Sequence, residues 1–79
     1  MTEQQIQTKI IKRLESEGYF VIKLIKTNKN GIPDLLAIRN GVARFIEVKR
    51  KGGVVSELQK YRIEELKSFG CESEVSYGD

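Results

Sequence analysis

An Asn-Gly dipeptide at positions 40 and 41 lies between two apolar runs, residues 34–39 and 42–49. Asn-Gly is the strongest short-range signal for a β-hairpin, because a type I′ turn needs positive φ at both central residues. A loop of two residues leaves the register no freedom. Arg39 faces Val42, and counting outward sets Asp34 directly across from Glu47. Side chains alternate between faces along a strand, so Lys49 shares the face of Glu47 and lies diagonal to Asp34. Opposed residues hold their Cβ atoms roughly 4.5–5.5 Å apart, where like charges destabilise the pair. Two carboxylates fixed this close, with a lysine beside them, point to a cation site suited to phosphate chemistry.

Composition removes the main competitors. The chain contains no histidine and a single cysteine, Cys71. Imidazole catalysis, a Cys/His zinc set and an internal disulfide are therefore excluded. Metal chemistry here must use oxygen ligands, which suit magnesium or manganese. Lys and Arg number 14 against 11 Asp and Glu, a net +3 that is compatible with a polyanionic partner without requiring one. At 79 residues the chain reads as one domain, 1–79, near the lower size limit for an independent core. Self-association is expected on that ground. No signal peptide or membrane-length apolar run is present, which predicts a protein of the reducing cytoplasm with no membrane partner.

The other elements follow from local signals. Thr2 with Gln5 forms a capping box for a first helix that stops at Gly18, with Ile6, Ile10, Ile11 and Leu14 as its apolar stripe. Residues 19–26 read as a first strand, and 27–31 as a turn-rich loop. Pro33 stands at the start of the next strand, where proline is tolerated. Leu36, Ile38 and Phe45 share the face of the charged trio, while Leu35, Ala37, Ile46 and Val48 line the other. Apolar residues on both faces predict strands covered on both sides. After Gly52-Gly53, Ser56 and Gln59 cap a second helix running to about Phe69-Gly70, and residues 74–77 form a last strand. The expected class is α/β: an αβββαβ order with a small mixed sheet flanked by helices, its last strand parallel to a neighbour.

A cluster of surface ion pairs would be the ordinary reading of Asp34, Glu47 and Lys49 taken singly. Opposition of the carboxylates, apolar neighbours and the diagonal lysine together favour phosphodiester hydrolysis. Two carboxylates can hold a divalent ion that polarises a phosphoryl oxygen and lowers the pKa of a water. A lysine beside that water can orient it and stabilise developing charge.

In order along the chain, Gly31-Ile32-Pro33-Asp34, then Glu47-Val48-Lys49, then Gln59 resembles the PD-(D/E)XK nuclease superfamily. The likeness is greatest to its VRR-NUC branch in a standalone, single-domain form, and it spans almost the whole chain. The resemblance implies a restriction-endonuclease-like core and a Mg2+ or Mn2+ site made by Asp34, Glu47 and the Val48 main-chain carbonyl. It implies that Glu3 assists at the metal and that Gln59 lies near the attacking water and the phosphate. For standalone members it implies a homodimer acting on branched DNA in the manner of a Holliday-junction resolvase. The implied setting is a bacterial or phage-infected cell, in recombination or repair, with no small-molecule cofactor.

Each auxiliary residue also has a simpler role. Glu3 favours the positive end of its helix dipole, yet at 100° per residue it falls within the apolar stripe and must point along the helix end, with Glu15 and Glu17 as the alternative carboxylates of this helix. Gln59 completes the capping box with Ser56, yet its wheel position faces the sheet. Lys49-Arg50-Lys51 followed by two glycines is a solvated loop by default. Beside a phosphate site, Arg50 and Lys51 are candidates for backbone contacts, with Lys26, Lys29 and Lys60, and further out Lys23 and Arg62, extending the surface. Tyr61 is the one aromatic residue expected to touch DNA. The sequence thus predicts a metal-dependent endodeoxyribonuclease selective for DNA shape. The alternatives are a non-catalytic DNA-binding module of the same fold, or a nickase or flap nuclease that needs a partner.

Overall fold

Both helices begin at the caps marked in the sequence. In the computed structural model, which describes residues 1–78, Thr2 precedes helix α1 (Glu3–Ser16) and Ser56 precedes helix α2 (Glu57–Ser68). Each capping box is reciprocal. Gln5 N–H donates to Thr2 Oγ1 (3.1 Å) and Thr2 N–H to Gln5 Oε1 (2.8 Å). Gln59 N–H donates to Ser56 Oγ (3.1 Å) and Ser56 N–H to Gln59 Oε1 (2.9 Å). These bonds satisfy donors that a helix end otherwise leaves open.

Four strands form one sheet in chain order: β1 (Phe20–Lys23), β2 (Leu35–Arg39), β3 (Val42–Val48) and β4 (Glu72–Ser76). The first three are antiparallel, and β4 returns through α2 to run parallel to β3. The αβββαβ order is the expected one. Asn40 and Gly41 have φ of 53° and 77°, as a type I′ turn demands. Leu35 pairs with Ile46 and Arg39 with Val42, so the hairpin register is the one counted from the turn.

Two strand limits differ from expectation. β1 leaves the ladder after Lys23, and Leu24 N–H makes its last link by donating to the Asp34 carbonyl (2.8 Å). β4 begins at Glu72, two residues before the expected 74–77. Its exposed glutamates alternate with buried Ser73 and half-buried Val75, a pattern too polar to mark a strand start.

The two faces of the sheet are unequal. Ile6, Ile10 and Leu14 of α1 pack on Leu35, Ala37, Ile46 and Val48, with Ile11, Tyr19 and Val21 at the margin. This is the core. On the other face, α2 lies over the β4 side and buries Ile63. A helix is about 10–12 Å across, and four strands at about 4.8 Å spacing are wider, so one helix set to the side leaves part of the face bare. Leu36, Ile38 and Phe45 are half-buried, while Phe20 is 65% exposed and Ile22 is exposed beside them. The expectation of full cover on both faces is corrected accordingly. Among the described residues no helix is long and apolar enough to cross a membrane.

The loop between β1 and β2 is held against α2. Gly31 has φ +80°, and a Cβ there would meet Leu58 Cγ at 2.6 Å, while Arg62 Nε donates to the Asn30 carbonyl (2.8 Å). Gly70 has similar backbone strain at φ +90° but no neighbour within 4 Å. Gly31→Ala therefore costs more stability than Gly70→Ala: about 2–3 kcal/mol against about 1 kcal/mol in urea unfolding. Equal losses would show that Leu58 yields freely.

Candidate active site

The hairpin delivers Asp34 and Glu47 to one end of the sheet. Asp34 stands one residue before β2, and Glu47 is the penultimate residue of β3. Pro33 has no N–H to extend the ladder, and Val48 N–H is taken by Asp34 Oδ2 (2.8 Å). That bond fixes the Asp34 carboxylate against β3. Lys49 N–H donates to the Ser76 carbonyl (2.9 Å), so the lysine leaves β3 from a backbone tied to β4.

Glu47 is the centre of the arrangement. It is 2% exposed. Gln59 Nε2 donates to its Oε2 at 3.3 Å, and Lys49 Nζ approaches the same oxygen at 3.9 Å. Its Oε1 is buried with no hydrogen-bond partner among the described residues. Burial above all, then the Asp34 charge and the hydrogen bond that a protonated Glu47 makes to the Asp34 side chain, pushes the Glu47 carboxyl up to about 8, against the lowering effect of Lys49. Glu3 at the start of α1 adds a smaller upward push. A buried carboxyl with one orphaned oxygen beside a second carboxylate is what a hard cation would relieve, so the donor set fits such an ion.

Gln59 holds both of its contested roles at once. Its Oε1 completes the capping box and its Nε2 reaches Glu47, because an amide carries an acceptor and donors on separate atoms. Glu3 is half-buried and acts on Glu47 through its field, but no three His, Cys, Asp or Glu side chains converge as a metal-holding group among the described residues. Val48 is buried at the end of β3, directly after Glu47.

The expected basic surface divides. Lys26 and Lys29 line a concavity of about 410 Å³ in the loop between β1 and β2, together with Leu24, Ile25 and Thr27. Arg50 and Lys51 are exposed in the loop after β3. Lys60 pairs with Glu57 (3.3 Å) on the α2 surface. Tyr61 is exposed, its hydroxyl donating to Glu65 Oε2 (3.4 Å). Arg62 is occupied by the Asn30 carbonyl and by Glu65 Oε1 (2.9 Å), so it straps the loop to α2 instead of extending the basic surface. The sequence hid this partner, because a main-chain carbonyl 32 residues away leaves no pattern.

One consequence is a stability profile of unusual sign. The folded protein keeps a proton on Glu47 up to about pH 8, whereas the ordinary carboxyl releases it near 4.5. The unfolded chain binds fewer protons in that window, so the contribution is complete below about 4.5 and is lost as pH rises toward about 8. Metal-free melting should therefore fall from about pH 5 to about pH 8, and Glu47→Gln should flatten the curve and raise Tm at its alkaline end. A flat wild-type profile would contradict this burial of charge.

Comparison with known proteins places this geometry in context. The VRR-NUC domain family matches residues 1–79. The chain is 32% identical over 72 residues to the crossover junction endodeoxyribonuclease Hjc of Sulfurisphaera tokodaii, covering 86% of this chain and 50% of that protein. It is 34% identical over 68 residues to the Hjc of Sulfolobus acidocaldarius, covering 81% and 48%. It thus spans about half the length of these curated relatives. A solved VRR_NUC domain superposes with a TM-score of 0.82 at 29% identity, over 98% of this chain and 88% of that one.

Proposed function

This chain belongs to the VRR-NUC domain family, and we propose that it is a metal-dependent DNA endonuclease that hydrolyses phosphodiester bonds in branched DNA as a homodimer. The observation that carries the reading is Glu47: a carboxyl buried to 2% exposure, opposed to Asp34, with one oxygen left without a partner. A chain using these groups only for stability would gain from replacing one carboxylate by a neutral residue.

Asp34, Glu47 and the Val48 carbonyl would hold Mg2+ or Mn2+, with Glu3 contributing its negative field from the start of α1. When bound, the ion supplies Lewis-acid polarisation of a phosphoryl oxygen and neutralises the two carboxylates. Lys49, on the same face as Glu47, orients the attacking water and stabilises charge as it develops on the phosphoryl oxygens. Gln59 steadies Glu47 through its amide N–H and presents the same amide to the water. Lys26, Lys29, Arg50, Lys51, Lys60 and Tyr61 form the surrounding contact surface for the DNA backbone.

The homodimer rests on the bare part of the sheet. Phe20 and Ile22 of β1 stand exposed next to half-buried Leu36 and Ile38, an apolar strip that α2 leaves uncovered. A second copy related by a two-fold axis would cover it and present two sites to two strands. The junction preference follows the relatives, which are named crossover junction endodeoxyribonucleases.

Cleavage of labelled four-way-junction, flap and linear DNA with magnesium, manganese or EDTA tests the proposal. Wild type should cut the junction only with metal, and Lys49→Ala should lose about 100-fold or more in rate. Magnesium should also raise the wild-type Tm, and Asp34→Asn should abolish that response. Binding without cutting under either metal would assign a non-catalytic DNA-binding module, or a subunit that needs a partner. Phe20→Asp should shift the sedimentation of the protein from dimer to monomer, and a wild type already monomeric at high concentration would remove the dimer from the proposal.

A further inference from the structure

The strand order places the candidate site between two flanks. Asp34 and Glu47 sit at the ends of β2 and β3, the two central strands. On the β1 side lies the loop with Lys26 and Lys29. On the β4 side a second concavity of about 260 Å³ is lined by Met1, Ile6, Lys9, Lys51, Tyr77 and Gly78. Its basic side chains are Lys9 and Lys51, and no carboxylate side chain is among its described lining residues. Lys9 and Lys51 make no ion pair among the described residues, whereas Arg44, Arg62 and Lys67 are each paired with a glutamate.

This cavity is built by packing that belongs to the site itself. Lys49 N–H is bonded to the Ser76 carbonyl, which anchors the end of β4, one residue before Tyr77, to the catalytic lysine's backbone. Gly78 then closes on α1: a Cβ there would lie 3.0 Å from Ile6 Cγ2. Ile6 is buried in the core, so Lys9, almost one turn further along the helix, is held over the same concavity as Lys51. Two unpaired lysines and a tyrosine around a small open cavity recognise a phosphate, with the lysines neutralising charge and the tyrosine hydroxyl donating.

We propose that Lys9, Lys51 and Tyr77 form a phosphate subsite on the α1 side of the active site, which holds a backbone phosphate of the bound strand flanking the scissile one. The inference rests on the nuclease reading and deepens it. The strand then crosses the sheet end from Lys26 and Lys29, over Asp34 and Glu47, to Lys51 and Lys9.

The test is the salt dependence of binding to four-way-junction DNA in EDTA, with cleavage kinetics in magnesium alongside. Each phosphate neutralised contributes about 0.9 to the slope of log K against log salt. Lys9→Gln and Lys51→Gln should each lower the slope by about one and weaken binding about three- to tenfold at roughly 0.1 M salt, with the loss in KM and not in kcat. Lys9→Arg should restore the slope. Tyr77→Phe should weaken binding while leaving the slope unchanged. Lys67→Gln, the same change of charge at the far end of α2, is the reference. Wild type that cuts, with Lys9→Gln and Lys51→Gln matching Lys67→Gln in slope and affinity, would overturn the subsite alone. Wild type that neither binds nor cuts junction DNA would overturn it together with the nuclease reading. Binding without cutting, with both slopes reduced, would retain the subsite and remove the nuclease.

Discussion

Everything at the candidate site depends on one unfavourable contact, the opposition of Asp34 and Glu47. Like charges across an antiparallel pair repel, and burial makes ionisation of Glu47 harder still. The fold tolerates the pair because the hairpin cannot slip. A shift of one residue would move Leu35, Ala37, Ile46 and Val48 off the core face. The apolar core against α1 therefore enforces the geometry of a polar site on the opposite face. Apolar packing is concentrated on one side of the sheet and the buried carboxyl on the other.

The support for Glu47 shows how few parts are used. Gln59 ends its cap with one atom and touches Glu47 with another. The start of α2 and the placement of the buried carboxyl are thus a single event. Asp34 is held in the same economical way, its side chain accepting the Val48 N–H. Lys49 has the longest of these approaches, 3.9 Å to Glu47, and so is the member most able to reorient toward a substrate.

Much of this was legible because it is local. The Asn-Gly turn determined the register, and the register determined which side chains meet. Both capping boxes were readable for the same reason, since their partners lie three residues apart. What escaped the sequence depends on distance through space. The sideways position of α2 was not readable from an apolar pattern that asks only for cover on both faces. The polar alternation of β4 concealed its first two residues. Arg62 looked like a surface cation until the Asn30 carbonyl was seen to hold it, and no local pattern marks Lys9 as a neighbour of Lys51. The family resemblance supplied roles for Glu3 and Gln59 that helical spacing alone left open. The structure brings Gln59 to Glu47 and leaves Glu3 acting on it through its field.

The net charge of +3 conceals how the charge is arranged. Away from the site, cations are neutralised by near neighbours: Arg44 by Glu74, Lys67 by Glu64, and Arg62 by Glu65. Around the site, Lys9, Lys26, Lys29, Arg50 and Lys51 make no ion pair among the described residues. Lys12 on α1 and Arg39 at the turn end of β2 also make no ion pair among the described residues, so unpaired positive charge is enriched at the strand ends without being confined to them. A polyanion approaching such a surface is steered to the strand ends. There the Lys49 ammonium favours ionisation of the buried Glu47 carboxyl, against its burial. Weak overall basicity and a strongly directed local field are compatible in one small domain because exposed ion pairs, worth little to stability, still determine where charge remains uncompensated.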